Sequence, residues 1–554
     1  MSKSKDPSGG RTAKTVIISL IVTLVFGALY FYLALPPLNP QAPEFWVFLI
    51  LLLAVYSVCT LIVAGVRAGR ENIVELPRAL ARSCKVPLIL GGVILAVCVV
   101  GTLTGAAIFR SGAYYDLLDV QTGDFTEDVA EISYSEIPML DKDSSIQLGR
   151  RALGSISVDS NLVSQFEVSD SEYSQINYKG EPVRVAPLVY GNIIKWFNNR
   201  AQGLPGYIVV NMVTQEADLV QLSDGIKYST GEHFGRNLYR TLRFRYPTMM
   251  FGDVNFEIDE DGTPWWICSR LVKRIGLFGG ADVQGAVLVN AVTGESSYME
   301  EVPNWVDRVY DADLLVQQYN YHGRYVNGWI NSWLGQKGIT TTTEGYNYIA
   351  LNDDVYLYTG VTSAGGDESN VGFILINQRT KEAKYYNITG ATEYSAMSSA
   401  QGAVQHLNYT ATFPILLNIS DQPTYFMALK DSAELVKMYA MVNVSDYQIT
   451  ATGTSVAQCQ QNYEQLLSQN GVQVTEPTVD DAAEQETISG TVTEIRSAVV
   501  DGNTIFYFAL GGDVYYAVSA QNCQKAAIIN VGDAVTITYL PGDGDILTAS
   551  QIKS

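Results

Sequence analysis

The sequence is poor in charged residues, histidines and cysteines for its length. Only 17% of the 554 residues are charged, against about a quarter in a typical soluble domain. The three histidines have no metal-ligand spacing, and the six cysteines include no CxxC pair. The sequence also contains no Gly-x-Ser-x-Gly elbow and no P-loop. These absences predict no metal, no cofactor and no catalytic residue.

Basic residues are outnumbered and unevenly distributed. The chain has 36 Lys and Arg against 57 Asp and Glu, a net charge of −21. Residues 1–110 carry ten basic and four acidic side chains, so the rest of the chain has a net charge of −27. Affinity for phosphate backbones needs clustered Lys and Arg, so this acidity excludes nucleic acid as a partner.

Three uncharged apolar runs near the N-terminus predict membrane-spanning helices. They cover Thr15–Leu35, Phe45–Val66 and Pro87–Phe109, each near the 20 residues that cross about 30 Å of hydrocarbon. Loop 36–44 has no Lys or Arg, whereas the tail and the second loop are basic. The positive-inside rule then predicts a cytoplasmic tail at residues 1–14, a multi-pass membrane region at residues 15–110 and an extracytoplasmic body at residues 111–554 of a cell-membrane protein.

The third run contains a GxxxG pattern formed by Gly101 and Gly105. Small residues at this spacing allow close helix approach, which predicts self-association through the third span and a homo-oligomer. The alternative is that small residues are simply common in membrane helices.

An apolar strand followed by Asn-x-x-Thr-x-Glu occurs three times in the body. The motif residues are Asn211, Thr214 and Glu216, then Asn290, Thr293 and Glu295, then Asn377, Thr380 and Glu382. Asn and Thr side chains bond nearby backbone and favour a tight turn. After a connector at 111–142, the pattern predicts repeats at 143–225, 226–305 and 306–392, and a degenerate fourth repeat with a final helix at 393–470.

The segment from Val287 to Glu295 resembles the ending of PepSY domains, an apolar strand followed by a Thr-Gly-Glu turn. The resemblance implies a helix packed on an antiparallel sheet, with binding or inhibitory roles near the cell surface. Gln215 and Lys381 replace the glycine in the other copies. The architecture also resembles large uncharacterised membrane proteins of clostridial bacteria, and the scarcity of cysteine outside the spans indicates a Gram-positive surface.

The C-terminal part separates by composition. Residues 471–487 are predicted to be an acidic linker, and residues 488–554 contain short strand-like segments between Gly-Asp turns. Several short strands in so small a module predict an OB-like β-barrel. The overall fold class is therefore α+β, with three N-terminal transmembrane helices, tandem helix-plus-antiparallel-sheet repeats and this barrel.

The chain is rich in aromatic residues, with 34 tyrosines and seven tryptophans. Exposed aromatic side chains can form an interaction surface. The candidates are Trp265, Trp266, Tyr319, Tyr321 and Tyr325. The alternative is ordinary packing across strands.

The leading functional hypothesis is a non-catalytic binding, scaffold or regulatory protein at the bacterial surface, with the membrane and a protein as partners. One alternative is an accessory subunit of a transport or secretion complex. Another is an envelope hydrolase that uses Glu216, Glu295 or Glu382 as acid and base, which requires two carboxylates about 5–10 Å apart in a cleft.

Overall fold

The chain divides into two compact units, Met1–Val474 and Thr475–Ser554, at a boundary inside the segment expected to be a linker. The computed structural model describes residues 7–71, 85–131, 137–156, 162–351, 353–363, 369–472, 474, 486–500, 503–512, 514–519, 523–539 and 546–553. Most of the predicted linker, the start of the N-terminal tail and most of the predicted second membrane loop lie outside these residues.

Three N-terminal helices are long and apolar enough to cross a membrane, which confirms the prediction of a multi-pass membrane region. They are α1 (Pro7–Ala34), α2 (Pro43–Glu71) and α3 (Lys85–Thr104). The first two approach closely at Gly27, where an added Cβ would lie 2.9 Å from Leu52. The hydroxyls of Ser19 and Thr60 lie 3.2 Å apart across this interface, so polar groups inside the bundle are paired.

The third helix ends at Thr104 and not at Phe109, where the apolar run ends. Ala106 has extended backbone angles (φ −67°, ψ 135°), and helix α4 (Ala107–Tyr115) follows. The Tyr114 hydroxyl donates a hydrogen bond to the Gly105 carbonyl (2.8 Å) and fixes this break. The expected end of the third span at Phe109 was wrong because the apolar run in the sequence continues past the break in the helix.

Among its described residues, the body contains four main sheets with closely similar strand order, antiparallel apart from one added strand. Sheet 1 has the order β2-β4-β5-β6, with β3 also paired to β4, and sheet 2 has the order β7-β8-β9-β10. The strands of sheet 1 are β2 (Phe166–Val168), β3 (Ser174–Tyr178), β4 (Glu181–Tyr190), β5 (Leu204–Asn211) and β6 (Ala217–Ile226). Those of sheet 2 are β7 (Met250–Ile258), β8 (Pro264–Ile275), β9 (Gly279–Asn290) and β10 (Ser296–Met299).

Sheets 3 and 4 repeat this meander. Sheet 3 consists of β11 (Thr340–Thr342), β12 (Asn347–Leu351), β13 (Asp354–Ser363), β15 (Gly372–Asn377) and β16 (Ala383–Tyr386), while β14 (Ser369–Asn370) pairs with β17 (Gly390–Ala391). Sheet 4 consists of β18 (Thr410–Ala411), β19 (Ile415–Ile419), β20 (Gln422–Lys430), β21 (Val436–Asn443) and β22 (Thr450–Gly453). The expected connector supplies β1 (Val120–Thr122), which pairs in parallel with β16, and the short helix α5 (Phe125–Asp128).

Helices cover the sheets. They are α6 (Lys142–Ile156), α7 (Leu162–Gln165), α8 (Ile193–Asn199), α9 (Leu238–Arg245), α10 (Ala312–Tyr325), α11 (Gly328–Ile330), α12 (Glu393–Ala403) and α13 (Val456–Gln469). One hydrophobic core joins sheets 1 and 2 around Tyr207 and Trp266, and another joins sheets 3 and 4 around Phe373 and Tyr425. The mixed α+β class predicted from the sequence is confirmed.

The C-terminal unit is a six-stranded sheet in the order β23-β27-β28-β26-β25-β24. Its strands are β23 (Glu486–Thr491), β24 (Glu494–Val500), β25 (Asn503–Ala509), β26 (Tyr515–Ser519), β27 (Ala534–Tyr539) and β28 (Ile546–Lys553). The Val492 N–H donates to Asp533, whereas the next N–H, of Thr493, donates to Ala509. Among the described residues of this unit, no ladder joins β23 to β24.

Candidate functional site

The three Asn-x-x-Thr-x-Glu segments fold into turns with the same hydrogen bonds. Each Asn side-chain oxygen accepts two backbone N–H groups, and each Glu N–H donates to the Thr hydroxyl. At Asn211 the two N–H groups lie at 2.8 and 2.9 Å, at Asn290 at 3.0 and 2.9 Å, and at Asn377 at 2.8 and 2.9 Å. In each of three sheets, the motif therefore closes the turn between two neighbouring strands.

The glutamates of these turns do not form a catalytic pair. Glu216, Glu295 and Glu382 are exposed, and they follow β5, β9 and β15 of three separate sheets. The hydrolase alternative needs two carboxylates in one cleft, and these three residues do not supply them.

The glycine position of the motif has a left-handed backbone in all three turns. The φ angles are 62° at Gln215, 75° at Gly294 and 69° at Lys381. At Gly294 an added Cβ would lie 2.3 Å from the Tyr228 ring, so a side chain is sterically excluded there. Glycine is thus required in the second turn for two independent reasons.

The two non-glycine residues use their side chains to connect sheets. Gln215 in the sheet 1 turn donates a hydrogen bond from Nε2 to the Tyr439 hydroxyl of sheet 4 (2.8 Å). Lys381 in the sheet 3 turn forms an ion pair with Asp282 of sheet 2 (2.6 Å). These contacts offset the strain of a left-handed non-glycine residue, about 1 kcal/mol, and explain the departures from the Thr-Gly-Glu pattern.

Three of the five aromatic candidates are buried, and Trp265 and Tyr321 are half-buried. Trp266 is fully buried, and its indole donates to the Tyr228 carbonyl (2.8 Å). Trp265 donates to Asp259 (2.9 Å). Tyr319 is also buried. Strand and helix packing accounts for the buried side chains, and an interaction surface at Trp265 and Tyr321 stays a prediction.

Tyr321 and Tyr325 connect the body to the end of the third membrane helix. Their rings lie 4.8 and 6.2 Å from the ring of Tyr114 in α4. His322 stacks on Tyr115 at 4.1 Å, and burial lowers the pKa of its imidazole. These aromatic residues fix α10 against α4.

Gly101 and Gly105 face a hairpin of the same chain. An added Cβ on Gly101 would lie 2.7 Å from Leu277, and one on Gly105 would lie 3.0 Å from the Ile275 carbonyl. The glycines therefore accommodate the β8–β9 hairpin, an intramolecular role. Self-association through the third span stays a prediction.

The first membrane loop also contacts the body. Arg243 of α9 donates from Nε to the Leu35 carbonyl (2.8 Å), where it pairs with an orphan carbonyl at the end of α1. The Arg240 guanidinium lies 4.3 Å from the Tyr32 ring centroid, and the Leu38 N–H donates to Pro247 (2.7 Å). The body thus contacts both loop 36–44 and the end of α3, as expected if they share one side of the membrane.

A polar cavity of about 660 Å³ lies among sheets 1, 2 and 3 and the start of α6. Such a volume is within the usual range for small-molecule sites. Its lining includes Lys142 of α6, Arg184 of β4, Asp253 of β7, and Arg308 and Asp311 just before α10. No motif identifies these residues because they come from four distant segments.

The inner wall of the cavity carries two guanidinium groups. Arg184 is 6% exposed, its Nη2 donates to Gln175 (3.1 Å), and burial lowers its pKa to about 10. Arg308 donates from Nη2 to the Tyr348 hydroxyl (3.1 Å). Both Nε atoms are buried without a hydrogen-bond partner among the described residues.

Lys142 adds a third cation at the exposed mouth. Partial burial and the charges of Arg184 and Arg308 lower the pKa of its ammonium group. Within the described part of the chain, none of the three cations forms an ion pair with a carboxylate. The nearby Asp141 is already occupied, because it pairs with Lys430.

Carboxylates also line the cavity, and we call Asp253 and Asp311 its acidic rim. Burial and the charges of Asp311 and Asp313 raise the pKa of Asp253. Asp311 also accepts the Asp313 N–H (2.9 Å) at the start of α10. The cavity therefore has a cationic inner wall and an acidic rim.

Two buried acidic residues, Glu257 and Asp307, fix the backbone at Arg308. The Glu257 carboxylate accepts the backbone N–H groups of Asp307 (2.9 Å) and Arg308 (3.0 Å). Asp307 in turn accepts the Asn177 N–H (2.7 Å). Burial raises the pKa of Glu257 to about 7, and burial together with Glu257 raises that of Asp307.

Comparisons with known proteins do not assign this chain to a family. No family model matches it, and no curated protein matches it. Among solved structures, a B. megaterium levansucrase mutant aligns at 9% identity over 77% of this chain and 98% of that chain. The TM-score of 0.18 is too low to support an argument about fold or function.

Proposed function

We propose that this chain is a membrane-anchored, non-catalytic binding protein of the bacterial cell surface, and that its extracytoplasmic body binds a small zwitterion in the polar cavity. The observation that carries the proposal is the buried guanidinium of Arg184, which has an unpartnered Nε and no carboxylate partner among the described residues. A buried charge without a direct ion pair is costly.

An oxyanion fits the inner wall. Arg184 and Arg308 both line this polar space, and Lys142 adds charge at its mouth. Charge-assisted hydrogen bonds from guanidinium to carboxylate or phosphate are the strong ones in proteins. A bound oxyanion would reduce the mutual repulsion that lowers the pKa of Lys142.

The acidic rim favours an ammonium group on the same ligand. Asp253 and Asp311 line the same cavity as Arg184, and a cation beside them would stabilise their ionised forms. A ligand with a carboxylate and an ammonium group, such as a free amino acid or a short peptide, matches both walls. A phosphate would match only the inner wall.

The remaining architecture supports a binding body built from repeats. Four meander sheets of similar order and three identical turns favour tandem copies of one helix-plus-sheet unit, as the PepSY resemblance implies. In the C-terminal unit, the switch of pairing between Val492 and Thr493 and the parallel ladder of β26 with β28 favour an OB-like barrel with a bent first strand.

A ligand panel tests the proposed function on the full-length protein in detergent. Thermal unfolding is measured with free amino acids, with trialanine, with N-acetylated and C-amidated trialanine, and with inorganic phosphate. Compounds with free termini should raise the unfolding temperature, and the rise should follow the logarithm of ligand concentration once the ligand is in excess over Kd. The blocked peptide should not.

Two arginine variants provide the comparison. R184M should lose the ligand-induced shift, because the inner wall loses its buried guanidinium. R150Q should keep it, because Arg150 forms a surface pair with Asp170 outside the cavity. A shift with phosphate alone would reassign the ligand class, and a shift that survives in R184M would overturn the site.

A further inference from the structure

A large apolar surface lies where the chain leaves the third membrane helix. Ile108 and Phe109 of α4 are 50% and 70% exposed, and Ile330, Trp333 and Leu334 are 67%, 70% and 70% exposed. Monomeric soluble proteins rarely expose so many large apolar side chains together without a binding partner.

The two segments that form this surface pack on each other. Trp329 and Ala107 contact the same small core around Tyr114, and the Trp329 and Trp333 rings are stacked at 6.4 Å. Phe109 is only five residues beyond Thr104, the end of α3. The apolar surface is therefore continuous with the membrane-spanning region.

The charges around this surface differ from those of the body. Arg110, Arg324 and Lys337 are exposed on the segments that carry the apolar side chains, whereas residues 111–554 have a net charge of −27. Aromatic and aliphatic side chains combined with Lys and Arg are typical of segments that lie in the interface of anionic bilayers.

We propose that this surface, composed of Ile108, Phe109, Ile330, Trp333 and Leu334, inserts into the headgroup region of the same bilayer that α1–α3 cross. The proposal rests on the membrane-anchoring part of the proposed function and not on the ligand. Tryptophan favours this depth because its ring is apolar and its indole N–H is polar.

Lipid contact here would also position the cavity. Helix α10 begins beside Asp311 at the cavity rim and ends at Tyr325, next to α11 and the apolar surface. A bilayer contact at this end would fix the angle of α10 and thereby the direction in which the cavity opens.

Fluorescence quenching by brominated lipid tests the proposal. The full-length protein is reconstituted into phosphatidylglycerol and phosphatidylcholine vesicles whose acyl chains are brominated near the headgroup. The quenched fraction of tryptophan emission is compared between the wild-type protein and W333F. In W333F the quenched emission should fall by about the share that one of the seven tryptophans contributes.

Two further variants make each outcome decisive. W46F removes the tryptophan at the start of α2, and the quenched emission should fall if the helices cross the bilayer. W305F removes a half-buried tryptophan within the body and should leave the quenched emission unchanged. A reduction in W46F without one in W333F would overturn the lipid contact and favour a protein partner. No reduction in either variant would overturn the membrane anchor as well.

Discussion

Replacing Arg184 with methionine should stabilise the ligand-free protein. The pKa of Arg184 is lowered from 12.5 to about 10 by burial, which corresponds to roughly 3 kcal/mol of unfavourable free energy for the charged side chain in the folded state. Methionine removes this unfavourable free energy of charge burial and keeps most of the side-chain volume. The lost hydrogen bond to Gln175 costs about 1 kcal/mol.

The net effect is a gain of about 2 kcal/mol, or roughly 2 °C in Tm for a protein of this size. The assay is differential scanning fluorimetry of the full chain in detergent, without added ligand and after extensive dialysis. R150Q, which changes only an exposed pair, should shift Tm by less than about 1 °C. A loss of stability in R184M would mean that Arg184 already has adequate partners, and the cavity would lose its cationic driving force.

Two further predictions concern the turns and the buried acid pair. G294A should destabilise the protein by roughly 2–4 kcal/mol, because the new methyl group meets Tyr228 and the backbone there is left-handed. Q215G should change the stability by less than about 1 kcal/mol. Chemical unfolding of both variants checks this, and equal losses of stability would contradict it. Burial holds the folded pKa of Glu257 at about 7, above its unfolded value of 4.5, so the unfolded chain ionises first. Stability should therefore fall by roughly 2–3 kcal/mol as the pH rises from 5 to 8. In E257Q the Tm profile should be flatter, and an equally steep profile would refute the assignment.

The features predictable from the sequence are the local ones. The membrane helices follow from uninterrupted apolar runs, and the Asn-x-x-Thr-x-Glu turns follow from side chains that bond their own backbone. The break after Thr104 could not be predicted, because Gly105 and Ala106 are as compatible with a membrane helix as their neighbours. What fixes the break is the hydroxyl of Tyr114, nine residues later.

The cavity could not be predicted because its chemistry is assembled by tertiary structure. Lys142, Arg184 and Arg308 each look like ordinary surface cations in sequence. Only the packing of sheets 1, 2 and 3 brings two of them together without a direct ion pair among the described residues. The aromatic residues show the converse, because Trp265 and Trp266 look like a binding motif and Trp266 instead packs within sheet 2.

The most direct test of the central claim is anomalous diffraction from crystals of the full-length protein soaked in sodium selenate, an oxyanion with a strong selenium signal. The account predicts an anomalous peak within hydrogen-bond reach of the Arg184 and Arg308 guanidinium groups, and its loss in R184M. Selenate only on the outer surface, with the wild-type cavity empty, would contradict the claim that these cations form an oxyanion site.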